Sequence, residues 1–475
     1  VLKDEWGFEG FTLSDFVYGI KDTVAAATAG MDVEMPFTRF YGRRLRRAVA
    51  SGDVPPEMID ESVRRILTTI LRFTEAPDPE RYSQSVIGCH QHEELALEAA
   101  EKSIVLLKND SSKNDSSRND GAEDSPVLPI DLSQTRRVAV FGRLAGAENT
   151  GDHGSSWVRP SYVVTPLDGI RSAAGSATKV IWAEGLDTPK AAETAGNADV
   201  AVVVVGNDAS DEGEYMHERY MIGGDRDALS LHRHDIDLVR AVAKANPRTV
   251  VVLIGGSAIT MEEWRNEVPA IVMAWYGGME GGNALANVLF GETNPGGKLP
   301  LTIPTSEDQL PFFDKDAEEI EYGYFHGYTL ADEEGFEPAF RFGHGLSYTS
   351  FSLGAPAVRV EVQGGRADSS DGTPPLIVSV DVANTGTRAG SEVVQVYAGC
   401  AASKVRRARR RLVGFKRVRV PVGETVPVEI GVDTAELRSY DPDAGEWRLE
   451  SAPYELFIGT SSDPAALQME RVELG

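Results

Sequence analysis

Five short runs of β-branched and aliphatic residues dominate the middle of the chain: Val138 to Phe141, Val180 to Ala183, Val200 to Val205, Val250 to Ile254 and Ala270 to Trp275. Each is separated from the next by a helical or loop segment. A strand that reads as a continuous apolar run is buried on both faces, and crossovers between such strands build a parallel sheet. Helical patterns at Thr188 to Ala195, Asp235 to Ala245 and Gly282 to Phe290 supply the covering layers. Residues 93–304 are therefore expected to form an α/β sandwich domain with a mainly parallel sheet.

The flanks read differently. Within residues 1–75, a short strand Phe11 to Leu13 ends in Ser14-Asp15-Phe16, an Ala-rich helix follows from Gly19 to Gly30, and two more helical stretches reach Phe73. This strand-helix alternation resembles the C-terminal part of a (β/α)8 barrel, without enough chain to close one. Residues 305–350 form a connector rich in aromatics and glycine. Beyond it, Leu376 to Val382, Glu392 to Ala398, Leu412 to Val420, Thr425 to Ile430 and Tyr454 to Ile458 alternate as short strands, the pattern of a β-sandwich over residues 351–475. The expected class is α/β plus all-β. Asn109 to Asp124, a Ser/Asn/Asp-rich run without apolar periodicity, reads as a surface loop.

Charge narrows the partners. The 475 residues hold 47 Lys plus Arg against 73 Asp plus Glu, a formal charge of −26, which repels a phosphate backbone or an anionic bilayer. No nucleic acid or membrane partner is expected, and no run approaches the ~20 apolar residues of a spanning helix. Cys89 and Cys400 stand too far apart to be a disulfide framework. The chain opens at Val1 with no charged n-region or apolar h-region, so a targeting signal or upstream domain is expected to lie outside it and the compartment stays open.

Two acidic positions invite chemistry. Asp15 follows a strand, where a carboxylate serves as a helix cap or as a catalyst. The cluster Asp208-Ala209-Ser210-Asp211-Glu212-Gly213-Glu214-Tyr215 follows the Val200 to Val205 strand, at the carboxyl end where open α/β sheets bind ligands; an acidic surface loop is the plainer reading. Cys89, His90 and His92 lack a fourth ligand at usable spacing, so no metal is expected. Lys404 to Arg411 (KVRRARRR) reads as the solvated edge of a sandwich strand, and Trp275-Tyr276 as aromatics packing the sheet. Gly142 to Gly146 lacks a phosphate-loop pattern, which argues against a nucleotide-binding role.

The segments LKDEWGFEGFTLSDF, AGMDVEMP, EKSIVLLKN, EGEYMHERYMIGGDRDALSL, MAWYGGMEGGNALANVLFGETNPGGKLPLTIP and FRFGHGLSYTSF occur in that order. Together they resemble glycoside hydrolase family 3 of the β-glucosidase type, and LVGFKRVRVPVGET is similar to that family's fibronectin type III-like domain. The resemblance implies a retaining exo-acting β-glycosidase, without cofactor, that hydrolyses terminal β-linked sugars of an oligosaccharide or glycoside. It pairs a nucleophile with an acid/base ~5–5.5 Å apart. Asp15 takes the nucleophile's place in the family's Ser-Asp-Trp motif, with Phe16 where the family has Trp, as a substrate-binding aromatic. Matching Ser-x-Glu-Gly makes Glu212 the acid/base, and counting back from Gly224-Asp225-Arg226 makes it Glu214; both remain candidates. Asp225 and Arg226 resemble the pair that closes this loop through a salt bridge. Asp152 to Trp157 resembles the Gly/Ser-rich loop leaning toward the sugar, with Ser155 and Ser156 as substrate-binding residues. The barrel's earlier sugar-holding groups are absent, so an N-terminal barrel segment is the expected partner. The rival expectation is a non-catalytic remnant that binds carbohydrate or partners without turnover.

Overall fold

Valine and isoleucine side chains that alternate along the central strands face two different cores. Val138, Val140, Val202, Val204, Val252 and Val272 point to one face; Ala139, Phe141, Val203, Val205, Leu253 and Ile271 point to the other. This period of two is what a pleated strand imposes, and burial on both sides explains why the runs are apolar throughout. The computed structural model describes residues 1–75, 83–111, 125–151, 153–213, 224, 226–314, 317–360 and 375–474. They fall into two compact units, residues 1–89 and 90–475.

In the second unit six strands form one sheet: β1 (Val105–Asn109), β2 (Arg137–Phe141), β3 (Lys179–Ala183), β4 (Val200–Gly206), β5 (Thr249–Ile254) and β6 (Ala270–Met273). Their order is β1-β6-β5-β4-β2-β3. All neighbours are parallel except β1, which adds antiparallel to β6, pairing Val105 with Met273. That antiparallel edge was not expected from the sequence. Asn109, assigned to a loop by composition, ends β1, and its side-chain amide clasps the Leu128 backbone at 2.8 and 3.0 Å. Residues 112–124 lie outside the described residues.

Helices of the second unit cover both faces of its sheet. In the first unit are α1 (Thr23–Thr28), α2 (Arg43–Ser51) and α3 (Pro56–Thr74); in the second, α4 (His90–Ser103), α5 (Pro166–Ala174), α6 (Thr188–Gly196), α7 (Ala209–Glu212), α8 (Arg233–Ala245), α9 (Gly281–Phe290) and α10 (Gly327–Glu334). Leu167, Ile170, Leu285 and Val288 of α5 and α9 fill one core, with Ala100 of α4. Ala191, Ala195, Leu238, Val239 and Val242 of α6 and α8 fill the other.

The sandwich is antiparallel throughout: β7 (Phe351–Leu353), β8 (Ala357–Val360), β9 (Leu376–Asn384), β10 (Gly390–Gly399), β11 (Arg411–Val420), β12 (Thr425–Val432), β13 (Ser439–Asp441), β14 (Glu446–Arg448), β15 (Ala452–Gly459) and β16 (Leu467–Leu474). One sheet runs β11-β10-β15-β16 and the other β12-β9-β7, with β8 also on β9, while β13 and β14 form a separate two-stranded ribbon. The basic run Lys404 to Arg411 is largely solvated, as expected, with Lys404, Arg406, Arg409 and Arg411 exposed, but only Arg411 belongs to a strand. The rest is the loop entering β11. Arg410 is buried against Asp332 of α10 in a bidentate pair at 2.7 and 2.6 Å; Arg407 meets Glu450 at 2.8 Å; Arg406 meets Glu333 and covers the Phe325 ring.

The first unit has a small core of Ile20, Ala27, Tyr41, Ala48 and Val54. The expected strand at Phe11 to Leu13 is a single parallel bridge, Leu13 to Val33, and the helix expected from Gly19 to Gly30 is confined to α1. Asp22 caps α1 by accepting from the Ala25 N–H at 2.7 Å. Among the described residues, no helix is long and apolar enough to cross a membrane.

Candidate functional site

β4 leaves the sheet at Gly206, whose φ is +136° and where a Cβ would stand 1.9 Å from the Ile254 carbonyl oxygen. Only glycine fits this exit. Asp208 then starts α7, accepting from the Ser210 N–H at 2.8 Å while Asp211 accepts from the Asp208 N–H at 3.0 Å. Arg143 pairs with Asp208 and His232 with Asp211, the latter at 2.7 Å. Burial would raise the Asp208 carboxyl, but the Ser210 and Arg143 contacts prevail and hold it below the usual carboxylate range. Two of the four acidic residues in this cluster thus build the loop.

Glu212, at the end of α7, turns inward. Its Oε2 accepts from the Gly256 N–H and from the Tyr276 hydroxyl, each at 2.7 Å. Its Oε1 accepts from the Asn207 amide at 3.0 Å and the Ser257 hydroxyl at 3.3 Å, with Arg226 Nε at 3.4 Å. Burial and the Glu212 carboxylate together push the Tyr276 hydroxyl far above its ordinary value, so it stays protonated and donates. Arg226 also donates to the Ala258 carbonyl at 3.0 Å, and its buried Nη1 has no hydrogen-bond partner among the described residues.

These groups line an open cavity of about 500 Å³ together with Thr150, Gly151 and Ser156. Asn149 ties this wall to the β4 exit by donating to the Asn207 carbonyl at 2.8 Å. Ser155 is exposed in the same turn, and beside it Arg159 lies 4.2 Å over the Trp157 ring. The structure therefore brings together Glu212, Ser156 and Arg226 of the expected residues. Glu214, Asp152 and Asp225 lie outside the described residues. Arg226 was expected to close the loop through Asp225; the partners described for it are Glu212, Ser257 and Ala258.

Trp275 and Tyr276 both pack against the cores of the sheet, as expected, and the Trp275 indole donates to the Ser103 carbonyl at 3.0 Å. The sequence alone does not place the Tyr276 hydroxyl beside Glu212. Yet Tyr276 follows β6 at the same carboxyl edge as the acidic loop, and that shared edge was the available signal.

Asp15 and Phe16 belong to the first unit and are described within it. Ser14 anchors their turn: its N–H donates to the Val33 carbonyl and its hydroxyl accepts from the Met35 N–H, both at 2.9 Å. Gly19 permits the turn, since a Cβ there would come within 2.7 Å of the Asp15 nitrogen. Asp15 is exposed and accepts from the Phe16 N–H at 2.8 Å, and the Phe16 ring is 58% exposed.

Residues 104–348 match the glycosyl hydrolase family 3 C-terminal domain and residues 392–462 the fibronectin type III-like domain. The chain is 33% identical to thermostable β-glucosidase B of Acetivibrio thermocellus over 98% of its own length and 59% of that protein's. It is 31% identical to a β-xylosidase of Formosa agariphila over 97% of its length and 64% of that protein's. The crystal structure of a β-D-glucoside glucohydrolase from Trichoderma reesei superposes with a TM-score of 0.83 at 29% identity, covering 100% of this chain and 69% of that one. The chain thus spans about six-tenths of the length of these two curated relatives. With more than half its residues inside the matched C-terminal domain, the chain belongs to glycosyl hydrolase family 3.

Proposed function

We propose that this chain carries the catalytic carboxylates of a retaining exo-acting β-glycosidase of the β-glucosidase kind, acting on terminal β-linked sugars of oligosaccharides or aryl glycosides. Asp15 attacks the anomeric carbon and forms a glycosyl-enzyme ester, while a carboxylic acid of the Asp208–Glu214 loop protonates the departing oxygen. The same group, now a carboxylate, takes a proton from water as that water releases the sugar with its configuration retained. Phe16, Ser155 and Ser156 are the proposed sugar contacts. The observation that carries this reading is the polar cavity at the carboxyl end of the sheet, lined by Glu212, Arg226 and Ser156, in a chain of this family. An N-terminal barrel segment is the proposed partner in turnover.

A second reading, binding of carbohydrate without turnover, is favoured by Asp15 itself. Within its own unit its carboxylate accepts only from the neighbouring Phe16 N–H among the described residues, which is little support for a nucleophile.

The intact gene product separates the two. With an aryl β-glucoside, proton NMR is expected to show the β-anomer of the sugar first. Asp15→Ala is expected to abolish turnover, with azide restoring part of it as the inverted glycosyl azide. First appearance of the α-anomer overturns retention, wild-type rates in the variant remove Asp15, and tight oligosaccharide binding without any turnover establishes the second reading.

A further inference from the structure

The surroundings of Glu212 are those of an anchor. A carboxylate offers about four lone-pair positions, and four donors already occupy them: the Gly256 N–H, the Tyr276 hydroxyl, the Asn207 amide and the Ser257 hydroxyl. The Gly256 N–H donates only and cannot turn to accept a carboxyl proton. A proton placed on Glu212 would find its acceptor in the Tyr276, Ser257 or Asn207 side-chain oxygen, inside the same domain, rather than in a leaving oxygen. A group that first gives a proton and then takes one from water needs a free lone pair facing the substrate, and this geometry provides none.

The same contacts tie three parallel-strand ends together. Glu212 follows β4, Gly256 and Ser257 follow β5, and Tyr276 follows β6, three strands adjacent in the sheet. Their crossing point fixes the backbone at Gly213, where the acidic loop departs. We infer that Glu212 is a positioning residue, held by Tyr276, Gly256 and Arg226, that sets the direction of the acidic loop, and that the proton donor of the reaction is a different carboxyl group.

This inference rests on the glycosidase reading for its kinetic test, so a second measurement independent of turnover accompanies it. In the intact gene product, Glu212→Gln is expected to lower kcat/KM by about 10- to 100-fold. The loss should be equal for phenyl and 2,4-dinitrophenyl β-glucosides, and no glycosyl azide should form when azide is added. Glu214→Gln is expected to spare the dinitrophenyl substrate while losing about 10²–10⁴-fold on the phenyl one, as removal of a general acid does. Tyr276→Phe, which removes one oxygen and keeps the ring, should lower kcat while leaving the basic limb of the pH profile in place. A steep leaving-group dependence with azide rescue in Glu212→Gln overturns the inference, as does a displaced basic limb in Tyr276→Phe, which also serves if Glu212→Gln fails to fold. The independent arm is amide exchange at Gly256, expected to quicken at least about tenfold in Glu212→Ala, since a protecting hydrogen bond is lost. Unchanged exchange overturns the anchor. If the wild type hydrolyses no glycoside at all, the glycosidase reading falls and the exchange measurement alone decides whether Glu212 is the anchor.

Discussion

Among the described residues of the first unit, Asp32 is the most completely enclosed carboxylate, its side chain wholly buried. Lys3 and Arg65 each reach it at 2.7 Å, Ser62 at 2.6 Å and the Thr12 N–H at 2.8 Å. Burial alone would raise its pKa, but Arg65, Lys3, Ser62 and Thr12 together hold it well below the usual carboxylate range. Asp32→Asn leaves two cations short of a partner and should cost about 3–5 kcal/mol of the first unit's stability, measured by denaturant titration followed by a probe in that unit. The folded-state pKa is lowered, so the contribution of Asp32 is complete above the unfolded value near ~4 and fades as pH falls below it. The asparagine variant should lack that acid-dependent loss; a parallel pH dependence in both proteins would show that the pair contributes nothing. The sequence points to Asp15 through its motif, whereas the role of Asp32 rests on Lys3, Ser62 and Arg65, which converge only after α3 folds back. Glu212 teaches the same lesson: its spacing from β4 is legible, but Gly256, Ser257 and Tyr276, three of its donors, come from loops after two other strands.

Among elements, those with strong periodicity were legible. α6, α8 and α9 begin and end within two residues of the expected bounds, because each buries an apolar stripe against valine-rich strands. β1 was not: Val105–Asn109 is short, and nothing in it tells a parallel edge from an antiparallel one. The basic run before β11 was legible as surface charge but not as a loop with one buried arginine, since charge density on a strand edge and charge density in an ion-paired loop look alike until α10 supplies its acids. Arg410 and Asp332 are both nearly fully buried. Arg410→Ala should therefore destabilise the second unit by about 3–5 kcal/mol, whereas replacing the pair together by Met and Leu should cost less than either single change. Urea midpoints of Arg410→Met, Asp332→Leu and the double variant would test it, and additive losses would argue against a coupled pair.

At the scale of the molecule, the two units differ in how much they bury. The sheet strand β4 is buried along its whole length, while α3 has no buried residue and Phe73 is 77% exposed. In hydrogen exchange on this chain alone, amides around the Leu13 to Val33 bridge should exchange far faster than those of β4; equal protection would mean the first unit is stable by itself. The layered α/β domain and the sandwich were legible because each repeats its pattern several times. The first unit offered a single bridge and so little to read. The antiparallel edge also bears on how the chain is made. β1 leaves the ribosome before every other strand of its sheet, yet its partner strand there is β6, with Val105 waiting for Met273, and the Leu106 bridge to Leu346 forms later still. At roughly 5–20 residues per second, that wait is on the order of ten seconds. Throughout it the apolar run Val105-Leu106-Leu107 has no strand to pair with, and the nascent chain depends on whatever shelters that segment until the last parallel strand arrives.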